Sequence, residues 1–362
     1  MKFKKPKVLV AERIKEEGFK KPKILFRPTR GDIFNRVAYK LVKGDLSFIT
    51  PSSFGETIKP GTVLDEQCGV SLLGLLGKEA PDSGIIRKGK SVIDFSDINF
   101  RYPTIAVDFS LYEKLSEKEK KSLFNQIEIS FGIVKDYFTP ENFVLTSCKE
   151  RAKEDVGKFF HPFVPFQVLE DIESDNVIVL DPYGDKEFTH EEVDANTVIV
   201  VGGIVDSGER MDGWTKRVLE NAKHRRITYK GSIKLVPDRI NDIIKIVCEY
   251  LTEEISLEEA VRRNFTRTSK LKWLRKALEN SIYRFVINGE VVRGIPESLY
   301  DKWKEEFLLT DFHFRKGAKH IGGFVVFKDT LLSRVKGKIK KRGKEILILG
   351  EIKDGDIIKI YS

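Results

Sequence analysis

The sequence predicts an α/β protein, with a mostly parallel central sheet between a basic N-terminal domain and a basic C-terminal domain of α+β type. Two observations predict the centre. From residue 103 to about 255, short continuous apolar runs bounded by turns alternate with segments of helical period. Strands that are apolar on both faces belong to parallel sheets covered by helices. The third observation is charge. Residues 1–102 hold 20 Lys+Arg against 12 Asp+Glu, residues 103–255 hold 20 against 29, and residues 256–362 hold 24 against 14. Such a split suits two polyanion-binding arms around a catalytic middle, with an ordinary solvated surface as the plainer alternative.

The 362 residues suffice for two or three cores, and the expected boundaries are 1–100, 101–255 and 256–362. With 41% apolar and 33% charged residues the chain is globular rather than disordered. No run approaches the eighteen or so apolar residues of a membrane span, and the start lacks the pattern of a signal peptide, so a cytoplasmic protein is expected. Cys68, Cys148 and Cys248 stand far apart, and the five histidines form no ligand-like pair. A disulfide framework and a metal site are therefore not expected.

In chain order, the N-terminal arm contains an echo, FKKPKVLV at 3–10 and FKKPKILF at 19–26. Each copy reads as a basic turn running into a strand. The Gly- and Pro-rich stretch up to residue 100 reads as short strands and turns. Next come the strand PTIAVDF (103–109), a long helix over SEKEKKSLFNQIEISFGIVKDY, and the apolar runs FVLTSC (143–148), FVPFQVL (163–169), NVIVLDPYG (176–184) and TVIVVGGIVD (197–206). WTKRVLENAKH reads as a helix and RINDIIKIVCEYLTEE as another. Residues 257–285 read as cationic helix, and the final 60 or so turn β-like. In that last part Arg334, Lys336, Lys338, Lys340, Lys341 and Arg342 alternate with small or apolar residues. Alternation on a strand gathers cations on one face. An edge strand blunted by lysine is the competing reading.

Ligands of parallel α/β sheets sit at the carboxyl ends of strands. Three ends carry candidate groups: Asp108; Asp181-Pro-Tyr-Gly; and Gly202-Gly203 followed by Asp206. Glycine there permits close main-chain approach, although a bulge or tight turn with a solvated acid fits the spacing equally well. No GxGxxG follows the first strand of this run, and neither GxxxxGK[ST] nor GxSxG occurs. Nicotinamide, P-loop and serine-hydrolase chemistry thus lack support.

The ordered set VIVLDPYG, TVIVVGGIVD and a following basic helix, preceded by PTIAVDFSLYEKLSEKEKKSLFNQI and NFVLTSC, resembles the tRNA position-9 purine N1-methyltransferases of the SPOUT class. The resemblance covers roughly residues 103–255. The basic arms look more like those of archaeal members, which accept guanine, adenine or both. It implies a trefoil-knotted fold, a monomer, tRNA as partner and S-adenosylmethionine as cofactor. That cofactor would lie against Leu180 and Asp181, Val201, Gly202 and Gly203, Ile227 and Thr228, and Lys234 and Leu235. Asp206 would be the general base for guanine or orient adenine, with Asp108 and Asp238 in supporting roles. Asp238 also reads as an acid near a helix N-terminus, favourable there in any case. RNA contacts are expected from Lys4, Lys5, Lys20, Lys21, Arg27, Arg30, Lys216, Arg217, Arg334, Lys336, Lys338 and Lys340. A non-catalytic RNA-binding or RNA-processing subunit with the same fold is the alternative.

Overall fold

The computed structural model describes residues 2–26, 31–50, 62–74, 84–205, 213–287, 289–341 and 343–362. They fall into two compact units, Met1–Thr228 with Asp238–Ala260, and Tyr229–Pro237 with Val261–Ser362. Asp206, Arg27, Arg30 and Arg342 lie outside the described residues.

The first unit begins with helix α1 (Pro6–Glu16), strand β1 (Lys23–Ile24), helix α2 (Ile33–Val42) and strands β2 (Ser47–Ile49), β3 (Val63–Gln67), β4 (Val70–Leu73) and β5 (Ile85–Arg87). The strands make a sheet in the order β2-β5-β1-β4-β3. The two basic octapeptides part company here. The second supplies β1, as expected, but the first is α1. Pro6 sits at the start of α1, where its missing N–H costs nothing. Val10, Ala11 and Ile14 then recur at helical spacing and pack with Phe34, Val37 and Leu41 in one core. Buried Asn35 ties this module to the rest of the unit, donating to the carbonyls of Lys135 (2.9 Å) and Phe138 (3.1 Å). Arg36 meets Asp136 at 2.9 Å beside it.

The same unit continues with β6 (Thr104–Asp108), α3 (Glu117–Tyr137), β7 (Phe143–Thr146), α4 (Glu150–Phe159), β8 (Gln167–Val168), β9 (Val177–Leu180), β10 (Lys186–Glu187), β11 (Val198–Gly202), β12 (Lys223–Arg226) and α5 (Ile240–Thr252). Ser116 caps α3 through a reciprocal capping box with Glu119, which fixes where the long helix starts. The strands form one sheet, β10-β12-β9-β11-β6-β7-β8, and every pairing is parallel. Val198 and Val200 face Val179, Ala106 and Val144 on one side of it. WTKRVLENAKH departs from the helical reading: Trp214–Arg217 is a single 3₁₀ turn and Lys223 opens β12. The positive φ of Leu219 (44°) breaks the helix between them.

The second unit follows α6 (Leu257–Arg263), within which the division falls, with α7 (Arg267–Ser281), β13 (Tyr283–Ile287), β14 (Glu290–Pro296), α8 (Glu297–Glu306), α9 (Asp311–Ile321), β15 (Phe324–Phe327), β16 (Val335–Lys341), β17 (Lys344–Leu349) and β18 (Ile357–Tyr361). The sheet order is β16-β17-β13-β14-β15-β18, with mixed pairing. The cationic helix read over 257–285 therefore stops at Ser281, and α9 interrupts the β-like end. Tyr283 and Phe285 are drawn into a strand because their rings pack on Phe327.

Candidate active site at the carboxyl edge of the central sheet

Register places the motif residues in rows across the sheet. Val201 lies beside Leu180 and Val107, Leu180 beside Arg225, and Val107 beside Leu145. One step further along, Gly202 pairs with Asp108 and Asp108 with Thr146. Asp181 follows Leu180, and Ile227 and Thr228 follow β12 directly, so strand ends far apart in sequence share one edge. Leu180, Val201 and Ile227 are buried apolar groups there.

Among the described residues, Asp108 and Asp181 are already engaged on this edge. Asp108 is 2% exposed; its carboxylate accepts from the Ser110 N–H at 3.0 Å and from the hydroxyls of Ser110 and Ser147. It thus closes a turn, as its plainer reading allowed. Asp181, also 2% exposed, accepts from the Tyr183 N–H at 3.0 Å and lies 3.2 Å from His224 Nδ1. Asp238 lies two residues before α5.

The glycines are fixed by close main-chain approaches. Gly203 donates to the Asp108 carbonyl at 2.8 Å, and a Cβ at 203 would stand 2.4 Å from that oxygen. Gly202 has room, with Ile204 and Val218 at 3.4–3.6 Å from its would-be Cβ. In the Asp181–Gly184 turn, a Cβ on Gly184 would come within 2.9 Å of three main-chain atoms of Arg225. Sequence reading took the pair at 202–203 as ligand space; at 203 the neighbouring strand uses it.

Arg225, buried in β12, is held by Glu192 at 2.7–3.0 Å and by Asp185 at 3.1 Å. The Arg225 guanidinium holds the Glu192 carboxyl below its ordinary range. Burial pushes the Cys148 thiol up to about 12, so it is inert at neutral pH. Thr146 Oγ1 is buried without a partner. Sequence reading passed over Tyr183 and Trp214. Tyr183 is 44% exposed, with Lys216 Nζ at 5.5 Å from its ring centre, and Arg217 Cζ lies 4.5 Å from the Trp214 ring. Tyr183 stands inside the DPYG motif, where an aromatic ring in a turn at a strand end was the available signal.

Thr228 donates its hydroxyl to Glu187. Lys234 and Leu235 belong to the segment Tyr229–Pro237 of the second unit. Lys20 and Lys21 are exposed, whereas Lys4 pairs with Glu12 at 2.9 Å. Lys5 pairs with Glu253 at 3.0 Å and covers the Tyr137 ring. Lys336, Lys338 and Lys340 are exposed on β16, at the edge of its sheet. Arg334 leaves that row, because Asp356 takes its guanidinium in two 2.7 Å bonds. Among the described residues no group of acids, histidines or cysteines could hold a metal, and no helix is long and apolar enough to cross a membrane.

The family model for tRNA (guanine(9)-N(1))-methyltransferase TRM10/TRM10A matches residues 86–262. That match, just under half of the chain, makes this part similar to the TRM10 family. A relative, the tRNA (guanine(9)-/adenine(9)-N1)-methyltransferase of Thermococcus kodakarensis, is 28% identical over 219 residues, 56% of this chain and 58% of that protein. The match thus spans under two thirds of that relative's length. The tRNA (adenine(9)-N1)-methyltransferase of Sulfolobus acidocaldarius is 28% identical over 227 residues, 60% of this chain and 73% of that protein. The crystal structure of Sulfolobus acidocaldarius Trm10 in complex with S-adenosylhomocysteine superposes with a TM-score of 0.59 at 19% identity, covering 88% of this chain and 100% of that one. The chain thus shares the α/β fold of that structure, and the mostly parallel central sheet expected from the sequence is present.

Proposed function

We propose that this chain transfers a methyl group from S-adenosylmethionine to N1 of the purine at position 9 of tRNA, acting as a monomer in the cytoplasm. One observation carries the reading beyond the likeness to that family: Leu180, Val201 and Gly202 end adjacent parallel strands at one edge, and Ile227 and Thr228 continue from the strand beside them. That donor set suits an adenosine group. Leu180, Val201 and Ile227 are apolar, residue 202 has no side chain, and Thr146 keeps a buried hydroxyl without a partner. Bound there, the cofactor supplies the electrophilic methyl group.

Guanine N1 carries a proton that must leave as the methyl arrives, and Asp206, four residues past the end of β11, is the base in this reading. Adenine N1 already offers a lone pair, so Asp206 there only orients the ring. Asp108 and Asp181 spend their carboxylates on turns and position the strand ends instead. The exposed lysines 20, 21, 336, 338 and 340 draw tRNA phosphate.

Incubation with S-adenosylmethionine and unmodified tRNA transcripts carrying G9 or A9, followed by nucleoside mass spectrometry, tests the reading. The expected product is N1-methylated purine at position 9. Asp206→Asn lowers guanine methylation by about a hundredfold or more and adenine methylation less, the range of one acid–base group. Equal losses would remove the base role. Tight tRNA binding without methyl transfer would leave a binding subunit.

A further inference from the structure

We propose that Tyr183 and Trp214 form a stacking platform for the unpaired bases that flank the target purine, with Lys216 and Arg217 taking the adjoining phosphates. The proposal rests on the methyltransferase reading and adds to it the residues that receive the opened RNA.

The platform is built rather than incidental. Tyr183 is the third residue of a turn closed by the Gly184 N–H on the Asp181 carbonyl at 2.9 Å and by the Tyr183 N–H on the Asp181 carboxylate at 3.0 Å. The turn is further locked to Arg225 by the tight approach of Gly184. That leaves a rigid aromatic ring, nearly half exposed, at the carboxyl end of β9, beside the strand ends that carry the cofactor reading. Gly213, at φ 73°, starts the 3₁₀ turn with a conformation few side chains allow, and a Cβ there would lie 3.9 Å from the Tyr183 ring. This brings Trp214 and its neighbours alongside Tyr183. In sequence Trp214 follows Asp206 by eight residues.

The exposed Tyr183 ring and the half-buried Trp214 ring each have a cation near them, and neither Lys216 nor Arg217 makes an ion pair among the described residues. Arg225, a few residues on, shows the contrast, with two carboxylates on its guanidinium. Aromatic faces interleaved with unpaired cations are the chemistry that holds single-stranded nucleic acid: the ring takes a base and the cation a phosphate. A purine at a stacked position has to be drawn out, which leaves its neighbours in need of new stacking partners. A solvated turn whose cations merely cover its rings is the competing account.

Fluorescence separates the two. Trp214 differs from the other two tryptophans, Trp273 and Trp303, which are buried at 8% and 5% exposure. The full chain is titrated with an unmodified tRNA transcript, with Trp214→Phe identifying the Trp214 signal. Stacking predicts quenching of that signal. Tyr183→Ala and Trp214→Ala are expected to weaken tRNA binding about tenfold each, while Tyr183→Phe restores it. S-adenosylhomocysteine raises the melting temperature of all variants as it does the parent's. Lys216→Ala and Arg217→Ala lower the salt dependence of binding by about one unit each, and the aromatic variants leave it unchanged. Affinities within twofold of the parent, an unquenched Trp214, or loss of the S-adenosylhomocysteine response together with tRNA binding would overturn the platform. Methyl transfer is read separately. Quenching without methylation removes the methyltransferase reading and keeps the platform. Methylation with full affinity in the alanine variants does the reverse.

Discussion

Lys223–Arg226 and Val335–Lys341 are both strands written largely in basic residues, and they meet opposite surroundings. The first, β12, runs between β10 and β9 inside a parallel sheet. Its Arg225 is buried because Glu192 and Asp185 accept its guanidinium bonds, and its backbone receives the Asp181–Gly184 turn. The second, β16, is an edge strand with one neighbour, and its lysines stand in solvent. A row of cations therefore reports neither exposure nor RNA contact by itself. Whether neighbouring segments bring carboxylates to it decides the outcome. In the acidic middle of the chain they do. On β16 the match is partial: Glu345 meets Lys338, and Lys340 makes no ion pair among the described residues.

The sharpest way to break the internal strand is Gly184→Ala. The added Cβ would fall 2.7–2.9 Å from Arg225 N, Cα and C, and main-chain atoms of a central strand cannot swing aside. A loss of about 3 kcal/mol is expected in chemical denaturation, near the upper end of ordinary single-site effects. The matched substitution Gly337→Ala, whose Cβ would have only Ile348 at 3.9 Å, is expected to cost less than about 1 kcal/mol. Equal losses would show that the turn does not lock onto β12.

Arg225→Met comes next. It leaves Glu192, a half-buried carboxylate, without the guanidinium that neutralises it. Breaking a buried pair from one side costs about 3–5 kcal/mol, and the partial exposure of the acids here brings the expectation to about 2 kcal/mol. The pH profile carries a signature of its own. Because the folded Glu192 carboxyl is held below its ordinary value, its stabilising contribution is present above the unfolded value near 4.5 and is lost as pH falls through the folded one. Thermal scans of the parent should lose stability over that acid window, and the Arg225→Met profile should be flatter there. Parallel profiles would place the acid sensitivity elsewhere.

The same contrast explains what could be read from sequence. The core strands at 104–108, 143–146, 177–180 and 198–202 were legible because fully buried parallel strands are apolar throughout. β12 was not, since its side chains are polar and its partners come from segments 30 to 40 residues away. The octapeptides at 3–10 and 19–26 are nearly identical, yet one is helix and one strand. The deciding residues lie beyond them, at Ala11 and Ile14, which complete a helical stripe. At the site, the strand ends were legible from GGIVD and DPYG. That Gly203 serves a neighbouring carbonyl, and that Asp108 and Asp181 are already engaged, required the register.

The smallest effects belong to β16, where they sharpen the comparison most. Lys340→Ala removes a solvated charge, so stability should change by no more than about 0.5 kcal/mol. If β16 meets tRNA phosphate, the slope of log affinity against log salt should fall by about one. Lys338 is the control within the strand. It lies 2.9 Å from Glu345, and both side chains are more than half exposed, so the pair adds little stability but competes with phosphate for the lysine. Glu345→Gln should therefore tighten tRNA binding at low salt and steepen its salt dependence, with the melting temperature unchanged. If neither Lys340→Ala nor Glu345→Gln moves the slope, the lysines of β16 serve only to keep a bare sheet edge from pairing with another chain. A dimer or aggregate forming when Lys336, Lys338 and Lys340 are all replaced by threonine would then be the positive sign of that role.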